Sequence, residues 1–356
     1  MAKKQHPFAP DYAVAPGVTL KESLDEKGIT QAELSTRTGL AEKTISQIIN
    51  GVAPISHETA EKLELALGVP ARFWNRRELT YREAITRKEE LARFEADVKW
   101  LKEIPVTELV SRDAIEHTDV KAELVRRVLQ FFGVSSVASW QETWLRPEVQ
   151  FRSGQSQKSR PGYVAAWLRL GQLKAESFPL ADFNAKDFQR KLLEIRSYSL
   201  MTKGWMALLS KTCAEAGVAV VVTKEIRNAS VSGATYWVAK RPIIQLSLKY
   251  KKNDQFWFSF FHEAGHVLLH GRRQLFVENG IRSDTEEERE ANRFAADLLI
   301  PPDCAIQLSS LTNKARIRAF AEKIGVHPGI VVGRLQRHDV LRPSQFNDLK
   351  KTYKWK

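Results

Sequence analysis

Cysteine is nearly absent: Cys213 and Cys304 are the only two in 356 residues, far apart and without a CxxC companion. This excludes a disulfide framework and a thiolate zinc site, and each is read as a structural residue. Long apolar runs are missing too, none approaching the ~20 residues of a membrane span. The opening Met1-Ala-Lys-Lys-Gln-His-Pro-Phe-Ala-Pro lacks the apolar centre of a signal peptide, so a cytoplasmic location without membrane contact is expected. No internal repeat is found, which argues against a solenoid. Acidic residues fall short of basic ones, leaving a formal charge of +13 and a pI near 9.6. That excess favours a polyanionic partner but does not choose which.

The length suggests two or three domains, each able to bury its own core. Residues 1–15, rich in Pro and Ala, read as a flexible arm. Glycines at 28, 39, 51 and 68 punctuate the next stretch at roughly helix-length intervals and outline a first domain over 16–81. Residues 82–200 are charged and helix-prone, as in Val125-Arg-Arg-Val-Leu-Gln-Phe-Phe, and form a helical connector with an exposed polar loop at 152–162. Beyond Met201, a helix-like run ends at Gly217, and Val218-Ala-Val-Val-Val-Thr reads as a buried strand by its β-branched density. Two further strands are expected at Ala234-Thr-Tyr-Trp-Val and Ile243-Ile-Gln-Leu-Ser, then a long apolar helix from about Asp254 to His270. This last domain spans 201–342, and residues 343–356 are a basic tail.

In the first domain, Thr30-Gln-Ala-Glu33 has the form of a capping box and starts a helix that Gly39 ends. A second short helix runs from about Glu42 to Ile49 and stops at Asn50-Gly51. Ile45, Ile48 and Ile49 face a core, leaving Glu42, Lys43, Thr44 and Gln47 outward near the helix start, where base-reading residues sit in a recognition helix. Gln31 and Asn50 flank it and are placed to hold phosphates. On spacing alone, a solvated face of a helical bundle explains these residues equally well. The run Gly28–Gly51 resembles the Xre/Cro-type helix-turn-helix family, including antitoxins of the HigA kind, over roughly 18–79. It departs from that family at Ala41, where a capping Ser or Thr is usual, so the helix start is weaker by about 1 kcal/mol. The resemblance implies binding to operator DNA.

The pentapeptide His262-Glu263-Ala264-Gly265-His266 carries the most chemistry. Four residues apart on a helix, the imidazoles project from one face and can hold one Zn2+, with Glu263 placed as the base that takes a proton from water. By chance HExxH occurs in on the order of one in a hundred such chains. Its setting raises its weight: Phe256, Trp257, Phe258, Phe260, Phe261, Val267, Leu268 and Leu269 make this helix apolar almost all round, hence buried. Two histidines and a glutamate in one buried turn are costly unless hydrogen-bonded or bound to metal. A third ligand is expected from the helix running from Glu288 to about Ile300, stopped by Pro301-Pro302. Its apolar stripe is Ala291, Phe294, Ala295 and Leu298. Glu288, three residues before Ala291 and seven before Ala295, turns inward with that stripe; Glu286 and Glu290 read as solvated acids favoured by the helix dipole. His270, four residues after His266, serves either as a partner of the site or an oxyanion donor, or as a surface residue closing the helix before Gly271. The strand Ser232-Gly-Ala-Thr-Tyr-Trp offers itself for β-addition of an extended substrate.

His-Glu-Ala-Gly-His-Val-Leu-Leu-His-Gly, followed by Glu288-Arg-Glu-Ala-Asn-Arg-Phe-Ala-Ala-Asp-Leu-Leu-Ile-Pro, resembles the ImmA/IrrE metallopeptidase family over roughly 205–340. The run Phe320–Gln336 matches the family's helical tail. The resemblance implies that His262, His266 and Glu288 bind zinc, that Glu263 is the general base, and that the domain is often fused to an Xre-type module and cleaves or displaces a repressor or antitoxin. The expected fold is mainly α with a small β-sheet (α+β): a helix-turn-helix bundle plus a zincin-like metallopeptidase domain. The expected partners are operator DNA and a protein substrate, with a homodimer left open. Two rival roles stand beside the peptidase: a HigA-like regulator with a non-cleaving sensor domain, and the toxin of a toxin–antitoxin pair. The intact His-Glu-His-Glu set favours an active site over a degenerate sensor.

Overall fold

The computed structural model describes residues 14–145, 160–229, 231–249, 252–271, 276–278 and 285–355. The expected arm up to residue 13 and the polar loop up to residue 159 lie outside the described residues. The chain divides into two compact units, one holding residues up to Val98 with 120–123, the other holding 99–119 and 124–356.

The first unit is built on five helices, α1 (Pro16–Lys27), α2 (Gln31–Thr38), α3 (Glu42–Ile49), α4 (His57–Leu67) and α5 (Ala71–Ala96). Leu20 and Leu24, one helical turn apart, meet Leu34, Ile45, Ile48, Leu63 and Trp74 in its core. Thr30 Oγ1 accepts from Glu33 N at 3.1 Å, the forward half of the capping box, while the Glu33 carboxylate pairs with Arg37 instead. Gly39, at φ 70°, closes α2 in the left-handed conformation. Gly17 is required by a close approach: a Cβ there would come within 2.0 Å of the Ile48 carbonyl oxygen. The boundary expected at residue 81 is not seen. α5 runs unbroken through it, because residues 71–96 contain neither Gly nor Pro to interrupt an extended run of helix-forming charged residues.

The second unit carries α6 (Val106–Ser111), α7 (Lys121–Phe132, shared in part with the first unit), α8 (Val137–Trp144), α9 (Pro161–Glu176), α10 (Ala185–Ser197), α11 (Trp205–Glu215), α12 (Asn253–Leu269), α13 (Glu286–Leu299), α14 (Pro302–Ala305), α15 (Lys314–Ile324) and α16 (Pro328–Arg337). Its sheet has the order β1-β3-β2-β4, with β1 (Ala219–Val222) parallel to β3 (Arg241–Leu246) and β2 (Gly233–Val238) antiparallel to both β3 and β4 (Phe276–Glu278). Both faces are covered, which is why β1 is apolar without alternation. Val220, Val222, Ile244 and Leu246 join the core that contains α12, while Ala219, Val221 and Ile243 pack with Ala175 of α9. β4 was not expected from the sequence. It takes the edge beside Gly233–Thr235, so β2 is already paired on both sides there and does not offer that stretch to an extended substrate.

Two expected boundaries change. Residues 161–197, read as connector, belong to the second unit: Phe188, Leu192 and Ile195, at helical spacing, are buried with Trp205, Leu209 and Trp257. Of residues 343–356, read as a basic tail, the described stretch 343–355 docks in the core through Leu349 and Tyr353. The backbone N–H of Asn253 donates to the Lys351 carbonyl, and the Lys351 N–H donates back to Asn253 Oδ1. Lys350 Nζ meets Asp254 Oδ2 at 2.7 Å, both side chains less than a tenth exposed. The basic residues hide this docking, since one lysine is buried against an aspartate that the sequence places almost a hundred positions away. No described helix is long and apolar enough to cross a membrane.

Removing one partner of a buried pair strands the other charge, which typically costs ~3–5 kcal/mol, whereas replacing both costs far less. Lys350→Met should therefore lower the unfolding free energy of the second unit by that amount. Asp254→Asn combined with Lys350→Met should recover part of it. Urea titrations of the three proteins measure this, and an unchanged midpoint in the single variant would mean the pair does not hold the carboxy-terminal segment.

Candidate functional site

The site is assembled on α12. Phe256, Trp257, Phe260 and Phe261 bury this helix in the core, and with them His262, Glu263 and His266, each exposed by 2 % or less. α13 brings the third group. Thr285 caps it by accepting from the Glu288 N–H, and Glu286, Glu287 and Glu288 fill the first turn, where the helix dipole favours negative charge. Ala291 and Ala295, fully buried, turn the Glu288 face inward. The approach of the two helices depends on Gly265: a Cβ there would stand 3.2 Å from both Ala291 Cα and Phe294 Cδ1.

The outcome is a convergence of three donor atoms. His262 Nε2 and His266 Nε2 are 3.1 Å apart, and the Glu288 oxygens lie 3.2 Å from the first and 3.5 Å from the second. Ligand atoms about 2.1 Å from a tetrahedral zinc stand roughly 3.4 Å from one another, so the set fits that ion. Among the described residues these three form the group with the geometry of a metal site. Burial is the main cause that pulls the His266 pKa down, to about 4, and keeps its ring in the neutral, ligating form. Burial pushes the Glu288 carboxyl up, but the adjoining His262 and His266 outweigh it and hold the group well below the ordinary carboxylate range.

Glu263 lies in a cradle made by β2. Residues 233 and 235 share one face of the strand. Thr235 Oγ1 is 2.7 Å from Glu263 Oε2 and 3.0 Å from its backbone oxygen, and donates to one at a time. A Cβ at position 233 would lie 2.6 Å from Glu263 Oε1, so only glycine leaves room for the carboxylate. Neither Gly233 nor Thr235 was singled out from the sequence. The signal was present in the alternation of a strand containing Gly and Thr two apart, but which helix that face meets is a tertiary fact.

His270, the residue closing α12, has Nδ1 2.9 Å from His266 Nδ1 and Nε2 3.0 Å from Glu290 Oε2. With the Glu290 carboxylate accepting from Nε2–H of a neutral His270, the His270 Nδ1 lone pair accepts from His266 Nδ1–H. His266 Nε2 is then left with its lone pair toward His262 and Glu288. This fixes the tautomer that metal binding needs. Glu290 is exposed, as read from the sequence, and adds this bond to His270, while Glu286 sits in an exposed pair with Arg289. Phe258 stacks on His262 with ring centroids 6.3 Å apart, and the Arg337 guanidinium lies 4.8 Å over the Phe258 ring.

In the first unit, α2 and α3 are joined by the turn 39–41, with Ile45 and Ile48 buried and Ile49 partly so. Glu42, Lys43 and Gln31 are exposed, and Thr44 and Gln47 half-buried. Ala41 makes no side-chain cap, as its departure from the family pattern implied. Asn50 is exposed, but its Nδ2 donates to the Ser46 carbonyl at 2.8 Å, closing α3.

Residues 20–74 match the family model described as helix-turn-helix, HTH_3, and residues 213–336 match Peptidase_M78, the IrrE N-terminal-like domain. No curated protein matches the chain. The first match ends on Trp74, the last residue in the core of the five-helix unit, and the second spans the sheet, both site helices and α16. The chain therefore joins an Xre-type helix-turn-helix domain to a peptidase domain of the ImmA/IrrE type in one polypeptide.

Proposed function

We propose that the protein is a zinc metalloendopeptidase tethered to operator DNA, whose substrate is a regulatory protein, a repressor or antitoxin, in a stress, phage or toxin–antitoxin circuit. The observation that carries the reading is the convergence of His262, His266 and Glu288 beside a buried, hydrogen-bonded Glu263. His262 Nε2, His266 Nε2 and a Glu288 oxygen are the atoms that would hold the ion. When bound, zinc supplies Lewis acidity toward the scissile carbonyl and toward water. Glu263 takes the proton from the attacking water and passes it to the leaving amine, and Thr235 orients its carboxylate. Glu290 and His270 keep His266 in its ligating tautomer. Burial excludes bulk water from the group that must take up and release the proton. In the first unit, Lys43 and Gln47 are assigned to base edges with Glu42 and Thr44 beside them, and Gln31 to a phosphate. Asn50, assigned a phosphate in the same reading, has its amide committed to Ser46 and contributes through the end of α3.

Purified protein is expected to hold about one zinc per chain, with His262→Ala, His266→Ala and Glu288→Ala each losing most of it. Glu263→Gln keeps the metal and loses roughly 10²–10⁴-fold in cleavage rate, because only the base is removed. Metal analysis together with proteomics of cells expressing wild type or Glu263→Gln tests both halves. An uncleaved protein that accumulates and co-purifies with Glu263→Gln is the substrate; an unchanged cellular output in that variant, with loss in the ligand variants, would sink the catalytic reading.

His270→Ala is expected to weaken zinc affinity by ~10–100-fold without unfolding the domain, as for other groups that orient a ligating histidine. Competition with a chelator of known affinity measures it, and an unaltered affinity would show that His270 only ends its helix.

For the DNA-binding unit, Lys43→Ala and Gln47→Ala should each cost ~1–3 kcal/mol on the specific duplex, and Gln31→Ala should weaken all duplexes alike. A titration at fixed salt with operator and scrambled DNA distinguishes these effects. Retained specificity in both of the first two variants would remove α3 from the groove.

A further inference from the structure

The second unit contains an open groove of about 1390 Å3 that none of the metal-centre residues lines. It is bounded by residues 178–181, residues 202–204 with one face of α11 along its length, Arg241, Leu248 and the carboxy-terminal segment 351–355. Small-molecule pockets are usually about 300–1,000 Å3, so this one has the size for a length of chain. Its floor is apolar: Phe178, Leu180, Trp205, Met206, Leu248 and Trp355. Met206, half-buried, makes such a floor adaptable to the side chains it receives.

The lining carries five cations, Lys203, Lys211, Arg241, Lys351 and Lys354, against one acid, Glu215. Glu215 is already engaged by Lys191 at 2.6 Å, and Lys351 is spent on the Met201 carbonyl. Lys203, Arg241 and Lys354 are exposed and have no acidic partner among the described residues. An apolar floor under an uncompensated cationic rim suits an apolar face flanked by carboxylates. It does not suit a nucleic-acid backbone, which offers phosphates but no apolar face of that length. The second unit of another copy, which holds all of the chain's positive excess, would bring like charge to the rim.

The wall is pre-organised. Trp257 Nε1 donates to Tyr353 OH at 2.9 Å, Trp355 Nε1 donates to Glu225 Oε2 at 3.2 Å, and Tyr353 packs tilted against Trp205 with centroids 4.5 Å apart. We propose that this groove docks an acidic, amphipathic segment of a partner protein, its apolar face on Trp205 and Met206 and its carboxylates toward Lys203, Lys211, Arg241 and Lys354. The proposal stands independently of the metal centre's activity.

The test uses the full-length protein and a fluorescent synthetic amphipathic peptide with leucine and phenylalanine on one face and glutamate on the other. Two controls accompany it: the same peptide with lysine for glutamate, and one with serine for the apolar residues. Anisotropy should report saturable binding of the first peptide alone, weakening with added salt. Lys203→Glu combined with Arg241→Glu, both exposed and so harmless to folding, should raise its Kd about tenfold or more. Met206→Asp should abolish binding. Equal binding of either control peptide, or unchanged binding to the Lys203/Arg241 variant, overturns the proposal. So does a concentration-dependent dimer in sedimentation that Met206→Asp dissolves, since the occupant would then be a second copy.

Discussion

The peptidase unit depends on the contact between α12 and α13 at Gly265. Two imidazoles and a carboxylate must meet at one point inside an apolar core, and no single helix supplies all three. The histidines come from one turn of α12, but Glu288 arrives only because the helices approach until a glycine is needed at their closest point. The small residues Ala291 and Ala295 on the facing helix complete that fit. Even one methyl group at position 265 would move the second helix by a few tenths of an ångström, and the ligand atoms with it. A metal site tolerates little such displacement, because the ligand distances vary by only ~0.2 Å.

The same helix is held on its other sides by contacts that also govern chemistry. β2 presents Gly233 and Thr235 to Glu263, one by leaving space and the other by donating a hydrogen bond. At the far end, Asn253 and Asp254 anchor the carboxy-terminal segment. A buried carboxylate and a buried lysine are each expensive alone, so Lys350 and Asp254 enforce one register for that segment on α12. Specificity of docking, more than net stability, is what such a pair contributes.

Much of this was legible because it is local. HExxH states its own geometry through the four-residue spacing, and Glu288 declares itself by its phase with Ala291 and Ala295. Gly39 and Thr30 mark the ends of α2 in the same way. What escaped is what depends on distant partners. Thr235, Glu290 and Lys350 are ordinary residues in a strand, an acidic run and a basic terminus, and each acquires its role from a residue between 20 and nearly 100 positions away. Two of the three shifted boundaries have the same origin. A charged helix with no breaker carries no mark of where a core ends, and Phe188, Leu192 and Ile195 do not say which sheet they will cover.

The charge excess of the chain also acquires an address. Composition assigns +13 to no particular partner, but the sequence places the whole excess beyond Val98, since residues 1–98 hold 14 Lys and Arg against 15 Asp and Glu. In the second unit, cations collect around an apolar groove whose lining residues Trp205 and Tyr353 pack directly on Phe256 and Trp257 of α12. Those residues lie one to two turns ahead of His262 on the same buried helix. The positive excess, which the helix-turn-helix unit does not share, thus serves to orient an apolar contact placed on the helix that carries the candidate catalytic groups.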